Sequence, residues 1–407
     1  MYITFVNRFF PPDISATSQI LGDLVYGLAE KELKIRVITT DCSYTGGRLK
    51  GCNNRLHKNV EIVRVPSTSL GRKNLIYRLF DFSTFLFFSS IKILSDRSDV
   101  IIFFTDPPLL NYIGSFLSIL KDKKYIVVLQ DFFPYTAYSV GFINNRLIFK
   151  ILDNQLRYFL NRSNSVVVLS EKMAEFAEKV GIKKEKINII HNWADGTAIY
   201  PIKKEDSQFY NEWGLNRKFV ILYSGNLGVG HEFETILKTA YKLNIENRKD
   251  ILFLFIGEGS KKRVVENFIK ENQLSNIILK TYVPKEDLRD SLAVADIHLI
   301  TQTNEVVGVN MPSKLYGCMA SGRPIIYIGP KGSDVAKIIE ISKCGFTFSN
   351  GQIEEVYNKL KELSANSEVL YQLGQNARDY FERYFDRSIA IEKYYQLIHS
   401  VYEQPDN

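Results

Sequence analysis

A chain of 407 residues exceeds one ordinary hydrophobic core, so two domains are expected. Its 45% hydrophobic and 24% charged residues exclude disordered and fibrous classes. Cys42, Cys52, Cys318 and Cys344 are scattered without CxxC spacing, which excludes a zinc or disulfide framework and points to a reducing cytoplasm.

The charge is uneven. Up to Asp195 there are 26 lysines and arginines against 18 acids, net +8, and from Gly196 onward 26 against 27. The first half is therefore expected to meet an anionic partner such as lipid headgroups, with plain solubility as the alternative. The opening MYITFVNRFF reads as a strand rather than a leader. The longest uncharged runs, near Phe82–Ile91 and Pro107–Leu120, fall short of the roughly 20 residues of a membrane span.

Strands are expected at Tyr2–Val6, Ile35–Thr39, Val60–Val65, Val100–Phe104, Ile126–Leu129 and Ser165–Leu169, and Gln19–Glu30 has helical spacing. Continuous apolar strands separated by helices predict a parallel sheet covered on both faces. Sites in such sheets lie at the carboxyl ends of the strands, here Asn7–Ser18, Thr105–Pro108, Gln130–Pro134 and Ser170-Glu171. Leu75–Leu94 and Leu109–Lys124 are rich in Phe, Leu and Tyr, with Arg72, Lys73, Arg78, Lys92 and Arg97 around the first. Such helices suit a headgroup region, but cover helices need an apolar face toward their sheet in any case.

Asn192–Asp206, with Gly196 and Pro201, reads as a linker. A second series follows, with strands at Val220–Tyr223, Ile251–Ile256, Ile277–Lys280, Ile297–Ile300 and Ile325–Ile328, and a helical tail broken at Asp386. The fold class is α/β, two doubly wound units in tandem.

Three turns at strand ends of the second unit carry glycine or cationic residues. They are Ser224-Gly225-Asn226, Gly257-Glu258-Gly259 before Lys261, and the loop Met311-Pro312-Ser313-Lys314-Leu315. Glycines allow close backbone approach, and a loop feeding a helix leaves N–H groups for an anion. Ser313 is expected to cap the helix, and Lys314 is unfavourable in a first turn unless an anion sits nearby. Neither GxGxxG nor GK[ST] is present, so an ordinary strand–loop–helix remains the alternative for each turn alone.

SGNLGVGHEFET, IGEGSKKR, the YVPKEDL–ADIHL pair and MPSKLYGCMASGRPII, in this order, resemble the donor half of family 4 retaining glycosyltransferases. FFPPDISATSQ, VVLQDFFPYTA and HNWAD resemble the acceptor half and linker, and the bacterial O-antigen and capsule enzymes for N-acetylated sugars are the subset most resembled. The resemblance implies the GT-B fold of two Rossmann-like domains facing across a cleft. Residues 1–195 would bind acceptor, residues 196–385 donor, and a helix from about 386 to 407 would pack back on the first domain.

By the same resemblance, Ser224, Gly225 and Asn226 would line the donor diphosphate, and Lys314 would neutralise it beside Met311, Pro312, Ser313 and Leu315. Gly257, Gly259 and Tyr282-Val283 would flank the nucleobase. His231 stands where the wider family has lysine and is carried as catalytic, as is Asp131. Asp13, Ser15 and Gln130 would serve the acceptor. Departures are Val309 and Gly317 at the usual glutamate positions, Ser15-Ala16 for a glycine pair, and Gln130 for a histidine. His57, His298 and His399 read as structural.

The implied activity is a retaining transfer from a UDP-sugar, an N-acetylhexosamine or deoxy relative, to a polyprenyl-diphosphate-linked saccharide. No metal or other cofactor is expected, and no nucleic acid. The implied location is cytoplasmic, at the inner membrane face. The rivals are a UDP-sugar 2-epimerase on the same fold and a non-catalytic partner subunit.

Overall fold

The computed structural model describes residues 1–44, 46–49, 57–70, 75–139 and 141–405. Cys52, Arg72 and Lys73 lie outside the described residues. The chain divides into unit 1, residues 1–192, 308–311 and 387–407, and unit 2, residues 193–307 and 312–386.

Unit 1 begins with β1 (Tyr2–Val6), α1 (Ala16–Glu30), β2 (Lys34–Thr40), β3 (Val60–Val65) and α2 (Leu75–Leu94). It continues through β4 (Val100–Phe103), α3 (Leu110–Leu120), β5 (Lys124–Leu129), α4 (Tyr135–Ser139) and α5 (Arg146–Arg162). β6 (Ser165–Val168), α6 (Glu171–Lys179) and β7 (Ile187–Ile189) complete the series. The seven strands are parallel in the order β3-β2-β1-β4-β5-β6-β7. Central strands such as β4 are buried at every residue, because helices cover both faces.

Unit 2 contains α7 (Gln208–Glu212), β8 (Phe219–Ser224), α8 (Glu234–Ile245), β9 (Ile251–Ile256), α9 (Lys262–Glu271), β10 (Ile277–Lys280) and α10 (Leu288–Ala293). β11 (Ile297–Thr301), α11 (Lys314–Ala320), β12 (Ile325–Ile328), α12 (Asp334–Ser342), β13 (Gly345–Phe348), α13 (Ile353–Ser364) and α14 (Ser367–Tyr384) follow. Its parallel order is β10-β9-β8-β11-β12-β13. One core joins Tyr223, Phe233, Phe255, Leu299 and Ile326 across the sheet to α8 and α13.

Several elements go beyond the sequence expectation. β7 and β13 are short edge strands with half-exposed residues, which blurs their apolar signal. α5 had a legible start, since Asn145 Oδ1 accepts from Leu147 N at 2.9 Å and Ile148 N at 3.2 Å. The boundary falls at Asn192 rather than Asp195, and residues 308–311 cluster with unit 1, where Phe132 N donates to Val309 O at 3.0 Å. The last helix, α15 (Arg387–Glu403), belongs to unit 1 and packs on α1. A Cβ on Gly27 would lie 2.2 Å from the Ile391 side chain, so a larger residue there would force Ile391 to move.

Candidate functional site

The turns after β8 and β9 are laced together. Gly225 N donates to Ile256 O at 2.9 Å, Leu227 N to Glu258 O at 2.9 Å, and Lys261 N to Leu227 O at 2.8 Å. A Cβ on Gly257 would stand 2.0 Å from Gly225 O, and one on Gly259 2.4 Å from Leu227 O. Both glycines have strongly positive φ. Gly257 and Gly259 thus let one turn lie on the other. At Gly225, φ +136°, the missing Cβ faces Lys314, 3.2 Å from Cε and 3.5 Å from Nζ.

Lys314 opens α11, which is only seven residues long. Ser313 is already helical, φ −64° and ψ −24°, and makes no side-chain cap, contrary to expectation. So short a helix concentrates little dipole at its start, and the lysine carries most of the positive charge there. Its ammonium is covered from water and meets no hydrogen-bond acceptor among the described residues. It lies 3.7 Å from the Tyr223 ring centroid. Burial pulls its pKa down to about 7. A covered amine with unspent donors is costly without a ligand, and an anion reaching it past Gly225 would relieve that cost.

His231 Nδ1 donates to Thr301 O at 2.7 Å, so Nε2 carries the free lone pair. Burial, followed by the nearby charge of Lys314, holds its pKa near 3. The ring is neutral and cannot replace the family's lysine as a cation; it offers an acceptor. Ser224 is half-buried and Asn226 exposed beside this turn. Tyr282, 48% exposed, reaches Glu258 O at 3.4 Å, while Val283 is half-buried on the same segment. Met311 and Leu315 are buried, Pro312 half-buried and Ser313 exposed. Unit 2 thus gathers Gly225, Gly257, Gly259 and Lys314 into one locus.

In unit 1 the acceptor-side residues are differently employed. The Asp13 carboxylate is buried and accepts from Ser15 N at 2.8 Å and Tyr44 N at 2.6 Å. It shapes its loop through one oxygen to each of these backbone N–H groups. Ser15 Oγ accepts from Ser18 N at 3.4 Å as the N-cap of α1. Gln130 pairs amide to amide with Asn192, at 2.9 and 3.3 Å. Asp131 stays a candidate: burial, with the Asp106 charge added, raises its pKa to about 6, against a Thr105 hydrogen bond that lowers it.

Two residues escaped the sequence. Arg8, just after β1, is buried, with Asp81 at 3.5 Å, Phe9 and Phe82 rings at 5.0 and 5.2 Å, and an Nε without a hydrogen-bond partner. Arg378 on α14 donates to Ala320 O, the last residue of α11, at 2.7 Å and to Ile199 O at 2.8 Å. Neither contact has a local sequence signal. His298 is buried against Ser321 Oγ at 3.0 Å, and burial holds its pKa near 3. Among the described residues, no three or more His, Cys, Asp or Glu group as for a metal ion, and no helix is long and apolar enough to cross a membrane.

Over 98% of its length the chain is similar in fold to Anabaena HepE, solved in complex with UDP and glucose, covering 100% of that chain with a TM-score of 0.75 at 15% identity. The two parallel-sheet units and this likeness define the GT-B fold. Residues 206–380 match the family described as Glycosyl transferases group 1. That match and the named relatives make the chain a GT4-like glycosyltransferase. It is 26% identical to probable glycosyltransferase WbjE of Pseudomonas aeruginosa, over 77% of each chain. It is 22% identical to putative colanic acid biosynthesis glycosyl transferase WcaI of Escherichia coli K12, over 95% of this chain and 96% of that one.

Proposed function

We propose that the protein transfers a sugar with retention from a UDP-sugar to a lipid-linked saccharide in bacterial surface polysaccharide assembly, without a metal ion. The covered ammonium of Lys314 beside Gly225 carries this reading, since it is charge held in place for an anion. The acceptor oxygen bonds to the sugar C1 as the C1–O bond to UDP breaks, and the acceptor proton goes to the departing diphosphate. In a retaining GT-B enzyme that diphosphate leaves from the face the acceptor attacks, so stabilising its charge supplies much of the barrier reduction. Lys314 and the backbone N–H groups beside it supply that charge.

WbjE and WcaI, bearing glycosyltransferase names and one a colanic acid role, support the polysaccharide setting, and the UDP and glucose bound by HepE support the donor class. An N-acetylhexosamine or deoxy relative is the proposed sugar, and a polyprenyl diphosphate at the inner membrane face the proposed carrier. Asp131, whose raised pKa leaves it ionised at neutral pH, is the proposed acceptor-side group. Thermal-shift screening of nucleotide sugars, followed by product analysis with a lipid-linked acceptor, tests the proposal. Sugar transfer with the anomeric configuration kept is expected; UDP-ManNAc formed from UDP-GlcNAc alone would replace it with epimerisation, and absent donor binding would leave a non-catalytic subunit.

A further inference from the structure

We propose that the outward sides of α2, α3 and α5 in unit 1 form one docking surface for a bilayer carrying anionic headgroups. This deepens the lipid-linked acceptor of the proposed function by naming the surface that meets the membrane.

These helices are apolar on both sides. α2 turns Asp81, Phe85, Ser89 and Ile93 inward, four residues apart, and Phe80, Phe87 and Ile91 outward, seven and four residues apart on one stripe. Phe87 is 63% exposed. α3, which has no charged residue, exposes Phe116 and Leu120, and α5 exposes Leu147 and Ile151. α2 packs beside α3, and α3 beside α5, so the stripes adjoin. The Arg78 guanidinium, 5.7 Å from the Phe142 ring centroid, ties α2 to the segment before α5. Eighteen of the thirty exposed large apolar side chains among the described residues fall between Leu70 and Tyr158, so this is a patch rather than ordinary scatter.

Charge selects the occupant. The three helices contain two acids, Asp81 and Asp153, only 4% and 5% exposed, and Asp153 is already paired with Arg157. Lys92, Arg146, Lys150, Arg157 and Arg162 are exposed. A surface of apolar and cationic groups without exposed acid repels a second copy of itself, whose matching face would bring cation to cation. Anionic headgroups above an acyl interior answer both the charges and the aromatics. The helices lie on such a surface, none being a candidate span.

The test is flotation of the full chain with vesicles of phosphatidylcholine alone, or with roughly one third phosphatidylglycerol, at low and high salt. Binding is expected on the anionic vesicles only, falling about tenfold or more at high salt. The double variant Phe87→Glu/Ile151→Glu should lose flotation while keeping its melting temperature and its UDP affinity by calorimetry. Equal flotation on neutral vesicles, none on either, or an unchanged double variant would overturn the proposal. So would a wild-type dimer in ultracentrifugation that the double variant dissolves, which would give the face to a second copy. Donor affinity measured on the same preparations fails or holds separately, so the catalytic reading and the docking face are judged apart.

Discussion

The Lys314 ammonium rests 3.7 Å from the centre of the Tyr223 ring, and no hydrogen-bond acceptor among the described residues reaches it. The ring's π face holds the amine beside Gly225 without spending its three N–H donors. Lys314→Ala removes the positive charge proposed to face the leaving diphosphate. Turnover is expected to fall by about 10²- to 10³-fold, roughly 3–4 kcal/mol of transition-state stabilisation. The fold should persist, since a buried charge disappears with it. Steady-state kinetics alongside a thermal melt check this, and near-normal turnover refutes the role.

Proton linkage follows from the same amine. Its pKa near 7 lies below the ordinary lysine value, so above pH 7 the free protein holds it increasingly neutral. An anion favours the charged form, so UDP binding at pH 8 should take up a proton, and affinity should weaken as pH rises above 7, by at most about tenfold per unit. For the unliganded fold the sign is the same as for any depressed base: the unfolded chain binds more protons from about 7 to the ordinary lysine value of 10.5, so stability rises with pH in that window. Calorimetry in buffers of different ionisation heat measures the proton; none taken up at pH 8 contradicts the buried amine.

Asp131 behaves oppositely. Its folded pKa is raised from 3.8 to about 6, so the folded state binds more protons between those values and stability declines as pH rises through them. Asp131→Asn should therefore raise the melting temperature at pH 7 and have its smallest effect near pH 4. If Asp131 serves the acceptor hydroxyl, the variant also loses turnover and the limb of the pH–rate profile near 6. A profile unchanged in shape would leave Asp131 a structural residue.

Gly257→Ala tests the laced turns. At φ +146° a Cβ would sit 2.0 Å from Gly225 O, so the turn must move or strain. A loss on the order of 3 kcal/mol is expected, combining an unfavourable backbone region with a backbone clash. Denaturant unfolding of the purified variant measures it, and a shift under about 1 kcal/mol contradicts the described contact.

Much of this protein was legible in its residues. Continuous buried strands such as Ile251–Ile256 and Ile325–Ile328 matched the structure to the residue, because a parallel sheet covered on both faces demands unbroken apolar runs. Lys314 stood out because a lysine in a helix's first turn opposes the dipole and invites an anion. Tertiary structure alone decided what the neighbours of these residues do. Gly257 and Gly259 serve the contact between two turns, Asp13 holds the backbone N–H of Tyr44, and His231 is tied to Thr301, seventy positions away. No local pattern encodes such pairings, since the partners meet only when the parallel strands align their ends. The same holds for the outward Phe87 and Phe116: composition showed aromatic helices, but only packing could show which rings the sheet covered and which it left to solvent.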